Sequence, residues 1–125
     1  MVLVDTSVWI DHFRRGDLRL AGFLDRGNAV MHPFVLGELT LGHLPGIAEV
    51  IDDLRRLPKA AVANTDEVLE FIVDRKLPGS GIGYVDAHLL AAAALVPETL
   101  VWTRDRRLLA AAQSLSLAAE FRERG

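Results

Sequence analysis

The sequence predicts an α/β fold, a mostly parallel central sheet of about four to five strands with helices on both faces. Three observations predict it. Short apolar runs rich in β-branched residues alternate with longer segments whose apolar residues recur at spacings of three and four. Half of the 125 residues are hydrophobic against 25% charged, an apolar surplus that suits a sheet buried on both sides. No internal repeat, low-complexity tract or linker interrupts the alternation, so residues 1–125 read as a single domain, able to bury roughly two-thirds of its unfolded surface.

Val2-Leu3-Val4 is a strand ended by Asp5, and Thr6-Ser7 caps a helix carrying Val8, Trp9, Ile10 and Phe13 that stops at Gly16. Leu18 to Leu24 has helical spacing, Gly27-Asn28 breaks it, and Ala29-Val30-Met31 follows as a second buried strand. Pro33 suits the first turn of a helix with Val35, Leu36, Leu39 and Leu41. Ile47, Val50, Ile51, Leu54 and Leu57 share one face of the next helix, which Pro58 ends, and Ala60-Ala61-Val62 is a short strand candidate. Thr65 with Asp66 and Glu67 opens a helix that turns Val68, Leu69, Phe71 and Ile72 inward. It ends at Arg75-Lys76, cations suited to the negative end of the helix dipole. Pro78 to Gly83 is a glycine-rich loop, and Ala87 to Leu95 a nearly all-apolar buried helix. Leu100 to Thr103 is the clearest late strand. A helix from about Arg104 to Gln113 follows, and Leu115-Ser116-Leu117 suggests an edge strand.

Composition excludes several function classes. With no cysteine there is no disulfide, no thiolate nucleophile and no cysteine-held zinc or iron–sulfur site, so any metal sits on oxygen or imidazole. The start lacks a basic segment and meets Asp5 at once, unlike a secretory signal. The longest wholly apolar run, Leu89 to Val96, is far short of the roughly 20 residues a spanning helix needs, so the expectation is a cytoplasmic protein with no membrane association. A formal charge of −3 supplies no whole-molecule attraction to nucleic acid, so local arginines and a metal would have to.

Four acids stand where such a fold would gather them: Asp5 and Asp105 just past strand ends, Glu38 one turn into a helix, and Asp86 opening the buried helix behind the glycine loop. Ligands in open α/β sheets collect beyond the carboxyl ends of the strands. Taken singly, Asp5, Asp86 and Asp105 are helix caps and Glu38 a solvated side chain; it is their conjunction that points to a hard cation and phosphate-ester chemistry. Asp52, Asp53, Glu67, Glu70, Glu120 and Glu123 lie in charge-mixed stretches and read as solvated.

Four motifs carry a resemblance. Asp-Thr-Ser-Val-Trp-Ile-Asp at residues 5–11, Gly-Glu-Leu at 37–39, Asp-Ala-His-Leu-Leu-Ala at 86–91 and Trp-Thr-Arg-Asp at 102–105 resemble, in order and nearly end to end, the motifs of PIN-domain ribonucleases of the VapC toxin type. The resemblance implies an endoribonuclease dependent on Mg2+ or Mn2+, with Asp5, Glu38, Asp86 and Asp105 as its acidic constellation. It also implies a cognate VapB-type antitoxin and a homodimer.

The chemistry follows from the residues as well. Carboxylates crowded into one cleft raise one another's pKa, and a divalent cation relieves the crowding, polarises a phosphoryl oxygen and activates water. Asp5 and Asp86 are the expected direct ligands, Asp105 a direct or water-mediated one, and Glu38 a ligand or the orienter of the attacking water. Thr6, Ser7 and Thr103 are placed to hydrogen-bond those carboxylates or to cap helices. Arg14, Arg15, Arg104, Arg106 and Arg107, with Arg75-Lys76, are candidate phosphate contacts. His12, His32, His43 and His88 form no paired zinc motif, and His88 is expected off the metal. Trp9 and Trp102 lie within apolar runs and read as core rather than base-stacking platforms. A haloacid-dehalogenase-type phosphatase would need Asp-x-Asp where Ser7 stands. A non-catalytic module gripping a partner helix is the alternative from another class.

Overall fold

In the computed structural model, which describes residues 1–121, three short strands pair in parallel. They are β1 (Val2–Val4), β2 (Ala29–Val30) and β3 (Leu100–Trp102), in the order β2-β1-β3. Val2 is in register with Ala29 on one side and Leu100 on the other. Seven helices accompany them among the described residues: α1 (Thr6–Arg15), α2 (Leu18–Asp25), α3 (Pro33–Leu41), α4 (Ile47–Arg55), α5 (Thr65–Asp74), α6 (Tyr84–Leu95) and α7 (Arg106–Ser114). None is long and apolar enough to cross a membrane. Glu123 lies outside the described residues.

The sheet is narrower than the sequence suggested, and both missing strands come close to joining it. Met31 forms an isolated parallel bridge with Lys59, and Val101 another with Ala118. Pro33, the next residue that would donate to this pairing, has no N–H and opens α3, so Ala60-Ala61-Val62 runs on as irregular chain. Leu115-Ser116 forms a turn, Ser116 at φ +57, so the chain meets β3 only where Val101 N–H donates to Leu117 O and Ala119 N–H to Val101 O.

Two helix starts differ from expectation for the same local reason. Asp86 accepts from Gly83 N–H at 3.1 Å, so α6 begins at Tyr84 rather than Ala87 and Asp86 falls inside its first turn. Asp105 accepts from Leu108 N–H at 2.9 Å and so caps α7, which starts at Arg106 rather than Arg104. At α5 the cap is Asn64, which exchanges reciprocal hydrogen bonds with Glu67; Leu69, expected inward, is half exposed.

Val2, Leu3 and Val4 are all buried although successive strand side chains point to opposite faces, so both faces of the sheet are covered. Trp9 is stacked on Phe13 at 5.7 Å, and Trp102 packs between Phe23 and Phe121 at 6.0 and 4.9 Å. Both tryptophans belong to the core, where truncating either to alanine costs about 3–5 kcal/mol. Asp52, Asp53, Glu67, Glu70 and Glu120 are exposed.

Candidate active site

The middle strand positions the site. β1 has β2 on one side and β3 on the other, so connections diverge from its carboxyl end, and Asp5 is the residue found there. Its N–H donates to Trp102 O at 2.9 Å, which extends the β1–β3 pairing by one step. Its side chain is only 7% exposed, and one oxygen, Oδ2, accepts from both Ser7 Oγ at 2.8 Å and Thr103 Oγ1 at 2.7 Å. A buried carboxylate needs such donors, because an unpaired one would cost several kcal/mol on the order of its desolvation.

The same hydroxyls tie the loop after β3 to α1. Ser7 Oγ accepts from Arg104 N–H at 3.0 Å, and Thr103 Oγ1 accepts from Asp105 N–H at 3.0 Å while donating to Asp5. Across the rim, Thr6 Oγ1 donates to Glu38 Oε1 at 2.8 Å, joining α1 to α3. Asp105 and Glu38 are exposed, and Asp86 is partly buried.

The four acids feel one another at Asp86. Its carboxyl is held above the ordinary 3.8, chiefly by burial and then by the charges of Asp5, Asp105 and Glu38, with the Gly83 N–H pulling the other way. Asp86 is thus the carboxyl at which neighbouring acids raise the pKa. Among the described residues, however, no three His, Cys, Asp or Glu side chains are drawn together tightly enough to cage an ion. Each carboxylate is instead turned to a hydroxyl or N–H of its own, as like charges at close range favour. The donor set is all oxygen, which fits Mg2+ or Mn2+ and not a soft metal.

The arginines separate into three groups. Arg104 donates through Nη1 to Asp11 Oδ2 at 2.6 Å and through Nη2 to Asp17 Oδ2, so it bridges α1 to the cap of α2. Its guanidinium holds the Asp11 carboxyl below the ordinary range. At Asp17 burial acts upward, but the Leu20 N–H and Arg104 outweigh it and the net shift is also down. Arg104, a candidate phosphate contact by sequence, is therefore a clamp. Arg15 pairs with Asp11 at 3.3 Å on the surface, and Arg14 lines a cleft beside Glu38. Arg106 and Arg107 line a separate cleft with Arg75 and Lys76. Sequence reasoning missed Asp11 and Asp17 as partners of Arg104; a cap position at Asp17 was the available local signal.

His32 and His88 are buried in the packing. His32 caps α3 by accepting Phe34 N–H at its Nδ1, and burial, then the His88 charge, lowers its pKa to about 4. His88 packs edge-on against Phe34 and Tyr84 at 4.6 and 4.7 Å. An apolar groove lined by Met31, Pro33, Leu36, Leu57 and Val62, with Arg55 and Lys59 among its other residues, contains none of the four acids.

Residues 2–114 match the PIN domain family. This chain belongs to the PIN domain family. It is 46% identical over 118 residues to Ribonuclease VapC32 from two Mycobacterium tuberculosis strains, CDC 1551 / Oshkosh and ATCC 25618 / H37Rv, covering 94% of this chain and 95% of each relative. Its fold is similar to a chain in the crystal structure of FitAcB from Neisseria gonorrhoeae, with a TM-score of 0.62 at 20% identity, over 90% of this chain and 94% of that one. The α/β PIN fold places Asp5 at the carboxyl end of the middle strand.

Proposed function

We infer that this chain is a VapC-type ribonuclease that hydrolyses RNA phosphodiester bonds as the toxin of a toxin–antitoxin pair. The observation that carries the reading is its 46% identity, end to end, to the two mycobacterial ribonucleases. The raising of the Asp86 carboxyl by burial and by the charges of Asp5, Asp105 and Glu38 supports a metal-dependent site.

In this proposal Asp5, Asp86 and Asp105 hold Mg2+ or Mn2+, and Glu38 orients the attacking water. The bound ion would polarise a phosphoryl oxygen and lower the pKa of water. Thr103 and Ser7 keep Asp5 in one orientation through its Oδ2, and Thr6 does the same for Glu38. The clamp at Arg104 sets the loop that carries both Thr103 and Asp105. A cognate antitoxin and a second copy of the chain are the proposed protein partners, and the exposed apolar side chains Leu18, Leu41, Val62 and Val73 leave surface for them. In this proposal the enzyme acts in the cytoplasm as one domain.

Purified total RNA incubated with the protein and Mg2+ or Mn2+ should show discrete cuts, absent with chelator and absent for Asp5→Asn and Asp86→Asn. Intact RNA in every lane, with no metal-induced rise in melting temperature, would leave a PIN-fold protein-binding module instead.

A further inference from the structure

We propose that the cleft between the end of α5 and the start of α7 is a track for the backbone of a single RNA strand leaving the acidic site, its phosphates held by Arg75, Lys76, Arg106 and Arg107. The proposal rests on the ribonuclease reading and names where its substrate runs.

The cleft has a volume of about 350 Å³ and also exposes Ser80 and Ser114, and no acid lines it. In a chain of net charge −3, four cations gathered without a carboxylate among the lining residues are a local reversal of sign. Among the described residues none of the four makes a salt bridge; Arg75 lies over the Phe71 ring at 5.1 Å and also borders a second cleft with Glu67, Glu70 and Asp74.

Arg75 and Lys76 suit the negative end of the α5 dipole, but the placement of Arg106 and Arg107 and the backbone of Lys76 work against local stability. Arg106 and Arg107 occupy the first turn of α7, the positive end of the helix dipole, where a cation is disfavoured by about 0.3–1 kcal/mol. Lys76 sits at φ +57, left-handed backbone that glycine or asparagine adopts more cheaply by about 1 kcal/mol. Arg107 is also held in place: a methyl group added at Gly81, itself at φ +86, would come within 3.1 Å of Arg107 Cδ, so the glycine loop closes over the arginine stem. That loop ends at Gly83, whose N–H binds Asp86, and Arg106 directly follows Asp105. The cleft is thus continuous in chain with two of the four acids.

No aromatic side chain lines the cleft, so bases have nothing to stack on there. It would hold phosphates and leave sequence unread.

The test uses the full chain with chelator, a fluorescein-labelled mixed-sequence single-stranded RNA of about 20 nucleotides, and salt from about 50 to 200 mM. The double variant Lys76→Gln/Arg107→Gln should bind about tenfold or more weakly at low salt. Its slope of log affinity against log salt should fall by roughly 1.4, two contacts at about 0.7 each on a single strand. A second RNA sequence should lose affinity equally, and Arg56→Gln, a surface residue paired with Asp53, should change nothing. Melting curves confirm that the variants fold. Unchanged affinity and slope in the double variant, or no salt-dependent binding by the wild type, overturns the track. Cleavage with Mn2+ is read separately: salt-dependent binding lost in the variant, with no cleavage by the wild type, would keep the track and reject the nuclease.

Discussion

The acidic rim at the end of β1 and the basic cleft between α5 and α7 each crowd like charges, and they treat them in opposite ways. In the rim every carboxylate has a donor of its own: two hydroxyls for Asp5, a hydroxyl for Glu38, and backbone N–H groups for Asp86 and Asp105. In the cleft the four cations have no carboxylate among the lining residues. Oriented, neutral donors fix the direction of a carboxylate without cancelling its charge, so the rim remains able to attract a cation. The cleft keeps its charge because its cations make no salt bridge among the described residues; Arg75 lies over the Phe71 ring, which leaves the charge in place. The residues 104 to 107, Arg-Asp-Arg-Arg, feed both regions, and Arg104 alone is consumed by Asp11 and Asp17.

The strongest way to break this contrast is to remove a rim carboxylate. Asp5→Asn or Asp86→Asn should lower RNA cleavage at least about 10²-fold. The two should differ in stability. The Asp86 pKa is raised on folding, so the stability linked to its proton is present below the unfolded value and lost as pH rises through the folded one. At neutral pH Asp86→Asn therefore relieves an unfavourable charge, and its melting temperature in chelator should match or exceed that of the wild type. A clear fall would show that the rim is not electrostatically crowded.

A smaller effect sharpens the role of the neutral donors. Thr103→Val keeps the shape but removes the 2.7 Å hydrogen bond to Asp5, and should reduce kcat/KM by about 10–100-fold. Thr103→Ser should restore most of it. Equal losses in both variants would mean that the hydroxyl is not what matters.

Arg104 against its neighbours comes next. Arg104→Ala breaks charged hydrogen bonds that are partly screened by solvent and should cost roughly 1–2 kcal/mol in thermal unfolding. Arg106→Ala, which breaks no ion pair among the described residues, should stay within about 0.5 kcal/mol. Similar costs for the two would erase the distinction between clamp and track.

The pH dependence of that difference is the finest test. Asp11 and Asp17 have carboxyl pKa values lowered from 3.8, so their contribution is present above that value and lost as pH falls through the folded values below it. The stability gap between wild type and Arg104→Ala should therefore be constant near neutrality and shrink in acid below about pH 4. A gap that persists there would assign the loss to packing over the Trp102 ring, 5.9 Å from the guanidinium.

Much of the fold was legible because its signals are local. β1 and β3 stand out as apolar runs, Pro33 opens α3 as its missing N–H allows, and Gly16 closes α1. The outer strands were overestimated because apolar composition marks a candidate strand, whereas pairing depends on the missing N–H of Pro33 and on the turn at Ser116. Helix starts were misplaced by a few residues at Asp86 and Asp105 because the capping side chain sits inside or just before the first turn.

By itself the sequence determined that Asp5 ends a buried strand, that four acids recur in PIN order and that the tryptophans are core, since each depends on neighbours in the chain and on burial. Only the tertiary structure decided which arginine is spent and which are kept. Arg104 meets Asp11 and Asp17 across 93 and 87 residues, and Thr103 meets Asp5 across 98. Charge pairing acts over a few ångströms in space, and the chain brings those partners within reach only once β1 and β3 lie side by side.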